Sequence, residues 1–532
     1  MLDEFRARHG RVPRVLHIGN IANNAFLNAK LLNQAGFDCD VLCYDYYHVM
    51  GSPEWEDADF EGAIADQFRP DWAALNLNGY QRPSWFAQGP LDLCIDYLLA
   101  KRKGKIARAA THWEQLGWFN KTVGGEAAGS GSLHRLARTL RRSIGLLAPT
   151  VSRVRHTPHA PALTWGKLES WAHRGGNLRW LVVAAAAPVL MSAVLLLRIG
   201  TESPFSAPQW LDRFRQVFPD RPDPLLVQDL APYASVVGRL KVLFNEYDIV
   251  QAYATDVVFP LLAGTRPYLG FEHGTLRTFT LADNAVSRLT ALGYQQADHV
   301  FITNGDCLEY ARKIKVTAYT PMVHPLDDTR IRSVSGDYAR RHAEYGVKYL
   351  FLCPLRHDWA VKGTDKYIRA LPLLASRIGR AFRVIMTQWG TQVDDSKRLA
   401  KALGVNDLIV WREPFNRGQL IREQKSCDVV FDQIALPHFG ATAPQAIAAG
   451  VPVIMSYDPA STAWIIPEPA PILTAWTPDE IVEAVVTALD PEWRAGYEIA
   501  ARKWFDTYHS GAQAVRLLSA AYRDACTKTG LL

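Results

Sequence analysis

Arg356 and Lys362 stand six residues apart in RHDWAVKGTDK, directly after the apolar run YLFLCPL, and Gly363 and Thr364 then open a helical pattern. Two cations beside a helix start suit an anionic ligand such as a diphosphate. The side chains supply charge, and the free N–H groups of the first helical turn supply donors. Solvated loop charges are the competing reading, and the local pattern alone leaves both open. A second stretch, PHFGATAPQAIAAGVPVI (437–454), carries a tight turn at Gly440 and Ala441 and a helix predicted from Thr442 to Ala449, capped by Gly450. Its first backbone N–H groups are another place for phosphate oxygens.

Ligands of open parallel sheets bind beyond the carboxyl ends of the strands, so these loops need strands behind them. RVLHIGN (14–20), CDVLCYDYY (39–47), YDIVQAYA (247–254), RPYLGFEHGT (266–275) and ADHVFITN (297–304) read as strands of one series. NAFLNAKLLNQAG (24–36) is a helix between the first two. KYLFLCPL (348–355), AFRVIMTQWG (381–390), DLIVWREP (407–414), CDVVFDQI (427–434) and VPVIMSYD (451–458) form a second series, with TDKYIRALPLLASRI (364–378) as a helix between its first two strands. The expected fold is α/β: two Rossmann-like domains facing a cleft, with a largely helical insertion in the first. The expected division is an N-terminal domain of 1–51 and 241–330, an insertion of 52–240, and a C-terminal domain of 331–505. AQAVRLLSAAYRDA (512–525) then places a closing helix in 506–532.

The 532 residues are ordinary in composition, at 48% hydrophobic and 21% charged. MLDEFRARHGRVPRVLHIGN has charges where an export signal would be apolar, so a cytoplasmic start is expected. The seven cysteines, at 39, 43, 94, 307, 353, 427 and 526, make no C-x-x-C pair and fall mostly in apolar runs, as buried thiols do. Cys39 and Cys43 lack further ligands nearby, and DCD (38–40) and DAD (57–59) read as incidental, so no metal site is expected. The net charge of +6 is uneven: residues 101–179 hold fifteen Lys and Arg against three Glu. Basic charge beside an apolar run suits an anionic lipid surface, and nucleic acid, which would explain the charge alone, leaves the apolar run unexplained.

Together the C-terminal segments resemble the family-4 glycosyltransferases of the GT-B fold, which transfer sugars from nucleotide donors with retention. The resemblance covers 348 to the C-terminus, is looser at 14–46 and 247–330, and is absent across the insertion. It implies that Arg356 and Lys362 are the diphosphate-binding pair and stabilise the charge that grows on the leaving group, without a metal or other cofactor. It implies that His273 in GFEHGT lies near the donor sugar and orients a hydroxyl. GNIANN (19–24) replaces the family's Gly-Gly turn, with Asn23 or Asn24 toward the acceptor. Gly440, Ala441 and Thr442 would cradle donor phosphate. The chain departs from the family at its Glu-x7-Glu motif, where Pro437 and Gln445 stand instead. Gln445 retains hydrogen-bonding capacity for the donor ribose without charge, and Pro437 offers no polar side chain. FDQ (431–433) is similar to members that also lack the first acid.

RWLVVAAAAPVLMSAVLLLR (179–198) holds eighteen uncharged residues from Trp180 to Leu197. At about 1.5 Å each they reach roughly 27 Å, marginal for a hydrocarbon core of about 30 Å. A buried core helix and a full span are both possible readings. Strands on both sides of the run belong to one sheet, however, so both ends must lie on one side of a membrane. One-leaflet or interfacial association meets that condition, with Pro188 as the bend, Trp180, Leu195, Leu196 and Leu197 as apolar anchors, and Arg138 and Arg142 on an upstream amphipathic helix. The expected protein is a glycosyltransferase at the cytoplasmic face of the inner (plasma) membrane, peripheral or monotopic. It would move sugar from a nucleotide-diphosphate sugar to a lipid-linked or membrane-embedded glycan acceptor in bacterial surface polysaccharide assembly. A GT-B-like protein that has lost catalysis and binds glycans or partners at the membrane is the alternative, and a sugar-nucleotide epimerase of related fold is a third.

Overall fold

The computed structural model describes residues 1–62, 64, 66–124, 207–277, 279–437 and 440–532. Arg138, Arg142, Trp180, Pro188, Leu195, Leu196 and Leu197, and with them the expectation of a membrane-associating run, lie outside the described residues. Among the described residues no helix is long and apolar enough to cross a membrane.

Short buried strands build two sheets. In the first, β1 (Arg14–Ile18), β2 (Asp38–Tyr44), β3 (Phe86–Gly89), β4 (Ile249–Tyr253), β5 (Tyr268–Phe271), β6 (His299–Ile302) and β7 (Tyr319–Pro321) lie in the order β3-β2-β1-β4-β5-β6-β7. In the second, β8 (Tyr349–Cys353), β9 (Phe382–Thr387), β10 (Ile409–Arg412), β11 (Val429–Phe431), β12 (Val453–Met455) and β13 (Leu473–Thr474) lie in the order β10-β9-β8-β11-β12-β13. All pairings are parallel. β4, β5 and β6 are buried along their whole length, as strands covered by helices on both faces must be. Two Rossmann-like domains face one another, the GT-B arrangement expected. Ile18 pairs with Leu42 on one side and Ala252 on the other, so the loops after β1, β2 and β4 leave the sheet side by side.

The helix Gly511–Thr529 returns to the first domain. Ala514, Leu518, Ala521, Tyr522 and Ala525 repeat at helical spacing and pack with Val15, Val41 and Phe26 in one core cluster. Tyr522 donates to Gln251 Oε1 at 2.6 Å, and Gln251 donates to the Tyr253 hydroxyl at 2.7 Å. Burying a large apolar side chain stabilises by about 1.5–3 kcal/mol, and the satisfied polar pair beneath it fixes the helix's register.

The chain between 52 and 240 differs from the sequence reading. The alternation of strand and helix resumes already at β3, which pairs with β2, and the helix Leu91–Arg102 packs behind it. Lys101 and Arg102, counted above with the lipid-facing charge, point inward. Their nitrogens lie 2.5 Å from the two oxygens of Asp40, a fully buried carboxylate that also accepts from Tyr247 at 2.8 Å. Arg102 also pairs with Asp38. The DCD acids are thus not idle: they neutralise the helix's last turn. Asp57 of DAD likewise accepts from Lys30 at 2.8 Å. All seven cysteines are buried and unbridged.

Candidate functional site

The loop after β8 is held from two sides. His357 N–H donates to Trp389 O at 2.8 Å, and Ile434 N–H donates to Lys362 O at 2.9 Å. Gly363 must be glycine: its φ is +66° and a Cβ would stand 2.7 Å from Ile434 Cγ2. This clamp brings Arg356 and Lys362 to one end of the sheet. Arg356 is exposed and pairs with Asp358 at 3.1 Å. Lys362 donates to Gln433 Oε1 at 2.5 Å. Burial holds the Lys362 ammonium below its ordinary range and Arg356 pushes it further down, against the pull of Asp432 and Asp358.

The helix Thr442–Ala448 begins beside this loop, with Ala441 and Thr442 half-buried and Gly440 exposed. One of its free N–H groups is already used: Ala443 N donates to Asp432 Oδ2 at 3.0 Å. Burial raises the Asp432 carboxyl, offset in part by Lys362. Gln445 does not open onto the cleft. It is fully buried and accepts from Arg417 Nη1 at 2.6 Å, while Arg417 grips Glu56, in the helix Pro53–Asp57, at 2.9 Å through two further nitrogens.

On the first domain, His273 follows β5. Asn24, at the start of the helix Asn24–Gln34, lies 3.5 Å from His273 Nδ1 and 3.3 Å from His324 Nδ1. The structure therefore brings Asn24 and His273 together at one edge of the first sheet. Burial, with His324 adding to it, lowers His273 to about 3, so its imidazole is neutral near pH 7 and serves as a hydrogen-bonding group rather than a cation. Asn23 has other duties: fully buried, it donates to Ser52 O and accepts from Asn20, both at 2.9 Å. Glu272 fixes the His273 loop by accepting from the backbone of Thr303 and Asn304 at 3.0 Å. A cavity of about 30 Å³, enough for a water, lies between His324 and Thr303–Gly305 on one side and Gly440 and Thr462 on the other. Trp464 closes this contact by donating to Gly305 O at 2.8 Å.

Two groups at this edge escaped the sequence reading. Asp256, after β4, accepts from the Tyr44 hydroxyl, at the end of β2, at 2.5 Å. A Cβ on Gly19, after β1, would stand 2.3 Å from Asp256 Oδ2, so only glycine admits the carboxylate here. Burial pushes the Asp256 pKa up to about 7, the Tyr44 hydrogen bond opposing it. Ala22, Asn23, Asp45 and Ala254, in the loops after β1, β2 and β4, all have φ near +50°. Such backbone strain concentrates where geometry is imposed for a purpose. A carboxyl group of this pKa can accept a hydroxyl proton near neutrality. The signal available in sequence was only an Asp just beyond a strand's carboxyl end. Among the described residues no group of three or more His, Cys, Asp or Glu side chains is arranged to hold a metal ion.

Residues 338–503 match the family model of the glycosyl transferases group 1. No curated protein matches the chain in sequence. Among solved structures it is similar to Anabaena Alr3699/HepE in complex with UDP, at 14% identity over 55% of this chain and 83% of that one, with a TM-score of 0.46. It is similar also to sucrose-phosphate synthase from Thermosynechococcus elongatus, at 14% identity over 55% and 79%, with a TM-score of 0.42. The match over the second domain, set on an architecture of two facing parallel sheets, supports a glycosyltransferase of the GT-B type.

Proposed function

We propose that the protein transfers a sugar from a nucleoside diphosphate donor, held by the second domain, to a lipid-linked glycan presented at the cytoplasmic face of the plasma membrane. The observation that carries this reading is the pairing of Arg356 and Lys362 in a clamped loop at the carboxyl end of β8. Both cations face the charge that develops as the glycosidic bond to the diphosphate breaks, and they take the part a metal ion would otherwise play. Neutral His273, with Asn24 beside it, orients a hydroxyl of donor or acceptor. We infer retention of configuration, with the leaving diphosphate receiving the acceptor's proton. The basic and apolar segment 125–200 brings the site to the lipid, and surface polysaccharide assembly is the setting this acceptor implies. Mass spectrometry of products from lipid acceptors offered a panel of nucleotide sugars tests the reading. A new lipid-linked glycan longer by one sugar supports it, and donor binding without any product opposes it. Removing 125–200, which leaves the helix Ile106–Gly124 over β3, tests the membrane role through recovery in the membrane fraction.

One observation favours a second reading. Gln445, at the position that holds the ribose in the family resembled, is sealed against Arg417 and Glu56. A chain that keeps the fold but has closed its ribose contact would bind glycans without transfer. Calorimetry with the same nucleotide sugars separates the two, since this reading requires that none binds.

A further inference from the structure

Two large aromatic residues of the first domain face solvent, and nothing in the transfer chemistry uses them. Phe68 is 73% exposed and Trp118 67%, the most exposed aromatics among the described residues. Neither sits on a loose end. Val49 N–H donates to Gln67 O at 2.7 Å, and Phe68 N–H donates to Asp66 Oδ1 at 2.8 Å. The Phe68 ring stands edge-on to His48, with centroids 5.0 Å apart. Trp118 belongs to the helix Ile106–Gly124, which Asn120 ties to β3 by donating to Gln88 O at 2.9 Å. Its neighbour Phe119 packs on Tyr47 at 5.9 Å. Tyr47 and His48 are consecutive residues of the loop after β2, so the two exposed aromatics flank one loop. That loop starts from Tyr44, whose hydroxyl holds Asp256.

A lone exposed apolar side chain is ordinary, but two aromatics fixed around one loop make a surface for an apolar partner. The chain around them says which. The same helix exposes Lys105, Ile106 and Arg108. Past Gly124 the sequence runs directly into nine Lys and Arg against two Glu over 125–179, and then into the uncharged run Trp180–Leu197. A protein partner would account for the aromatics alone. Aromatics joined to surplus cations and an apolar run suit an anionic bilayer, where rings sit at headgroup depth and cations meet the lipid phosphates. We propose that Phe68 and Trp118 insert into the headgroup layer of an anionic membrane and set the loop after β2, with Tyr44 and Asp256 behind it, against the lipid surface. The inference rests on the lipid-linked acceptor of the transfer reading, and it adds orientation. A tether alone leaves the protein free to turn, whereas two rigid anchors fix which edge meets the lipid.

Flotation of the full chain with vesicles of phosphatidylglycerol and phosphatidylcholine in equal parts tests it. Wild type should float with the vesicles. Phe68→Ala with Trp118→Ala should weaken the partition about 100-fold, about tenfold for each aromatic withdrawn from the interface. The Tm should stay the same, because both side chains lie mostly in water. Ile499→Ala, which removes a side chain of a residue 75% exposed on the second domain, should leave the partition unchanged. With acceptor carried in the vesicles, the double variant should lose transfer rate, and with the same acceptor in detergent it should keep it. Equal flotation of wild type and double variant, an equal loss with Ile499→Ala, or a change of oligomeric state in place of lost flotation would overturn the proposal. Lipid-linked product from a double variant that floats like wild type defeats this inference alone. No lipid-linked product from wild type defeats the transfer reading.

Discussion

Glu56 and Arg417 form a two-pronged ion pair, 2.9 Å at each contact, between the segment after β2 and the second domain. Asn416 and Gln419 extend the contact by donating to Phe60 O at 3.0 and 3.1 Å. The third prong of Arg417 reaches Gln445, so the residue matched to a ribose-holding acid is tied to the domain boundary. A donor ribose that engages Gln445 does so in competition with Arg417. On the proposed donor reading, donor binding and the seating of the two domains would be coupled through this one guanidinium.

Removing one partner of this pair should be costlier than removing both. Glu56 and Arg417 are 5% and 15% exposed, so Glu56→Ala strands a charge in a poorly solvated place, at a cost of about 3 kcal/mol. Glu56→Leu combined with Arg417→Met should recover most of that loss. Thermal unfolding of the single and double variants checks it, and a double variant less stable than Glu56→Ala would show that the pair is not the source.

On the proposed reading, in which each cation makes a charge-assisted contact to the growing diphosphate charge, Arg356→Ala with Lys362→Ala should lower kcat/KM by at least about 100-fold. The Tm should fall modestly, because Arg356 is exposed but Lys362 offsets the buried charge of Asp432. Steady-state kinetics and diphosphate calorimetry measure both effects. Unchanged rate and affinity would remove the proposed role from this loop.

The helix Thr364–Ile378 occupies the very residues whose apolar stripe marks it in the sequence, and β1, β2 and β4 fall in the mostly apolar segments read as strands. β3, β7 and β13, strands of four, three and two residues, escaped notice, although β5 and β6 are also of four and β11 and β12 of three and were read; length alone does not separate them. The same contrast divides the site. Arg356 and Lys362 share one loop after a legible strand, so proximity in sequence reveals them. Tyr44 and Asp256 are 212 residues apart, and Glu56 and Arg417 are 361 apart. Only the closed sheet and the docked domains bring those pairs together, and no local pattern encodes the meeting.

Acidification should destabilise the protein. Burial lowers His17, His273 and His509 to about 3 and His299 and His357 to about 4. Below the ordinary imidazole value of 6.5 the unfolded chain takes up protons that the folded one refuses, so stability falls as pH drops from 6.5 toward 4. Asp256 acts oppositely: folded it keeps its proton to about 7, so its contribution falls as pH rises from 3.8 to 7. Each group is worth about 1.4 kcal/mol per pH unit at most, and five outweigh one. The Tm should drop between pH 7 and pH 5. Asp256→Asn should gain stability relative to wild type at pH 8 and lose that advantage at pH 4. A Tm that rises on acidification contradicts the assignment of these histidines as neutral.

Asp256 offers the sharpest test of the transfer step. Its carboxyl, held by Tyr44 against Gly19, ionises near pH 7, and in the proposed transfer it would then accept a hydrogen bond from an acceptor hydroxyl. The rate at subsaturating acceptor should therefore climb with pH through about 7, and Asp256→Asn should flatten that limb. The variant should also raise the acceptor KM by about 10- to 100-fold, the worth of a hydrogen bond to a charged group, and leave the donor KM alone. NMR of the product should show the donor's anomeric configuration in wild type and variant alike, because the departing diphosphate, held by Arg356 and Lys362, takes the proton. An inverted product would make Asp256 the proton's destination instead. In that case Asp256→Asn should cost kcat about 100-fold or more, and the retaining course would have to be given up.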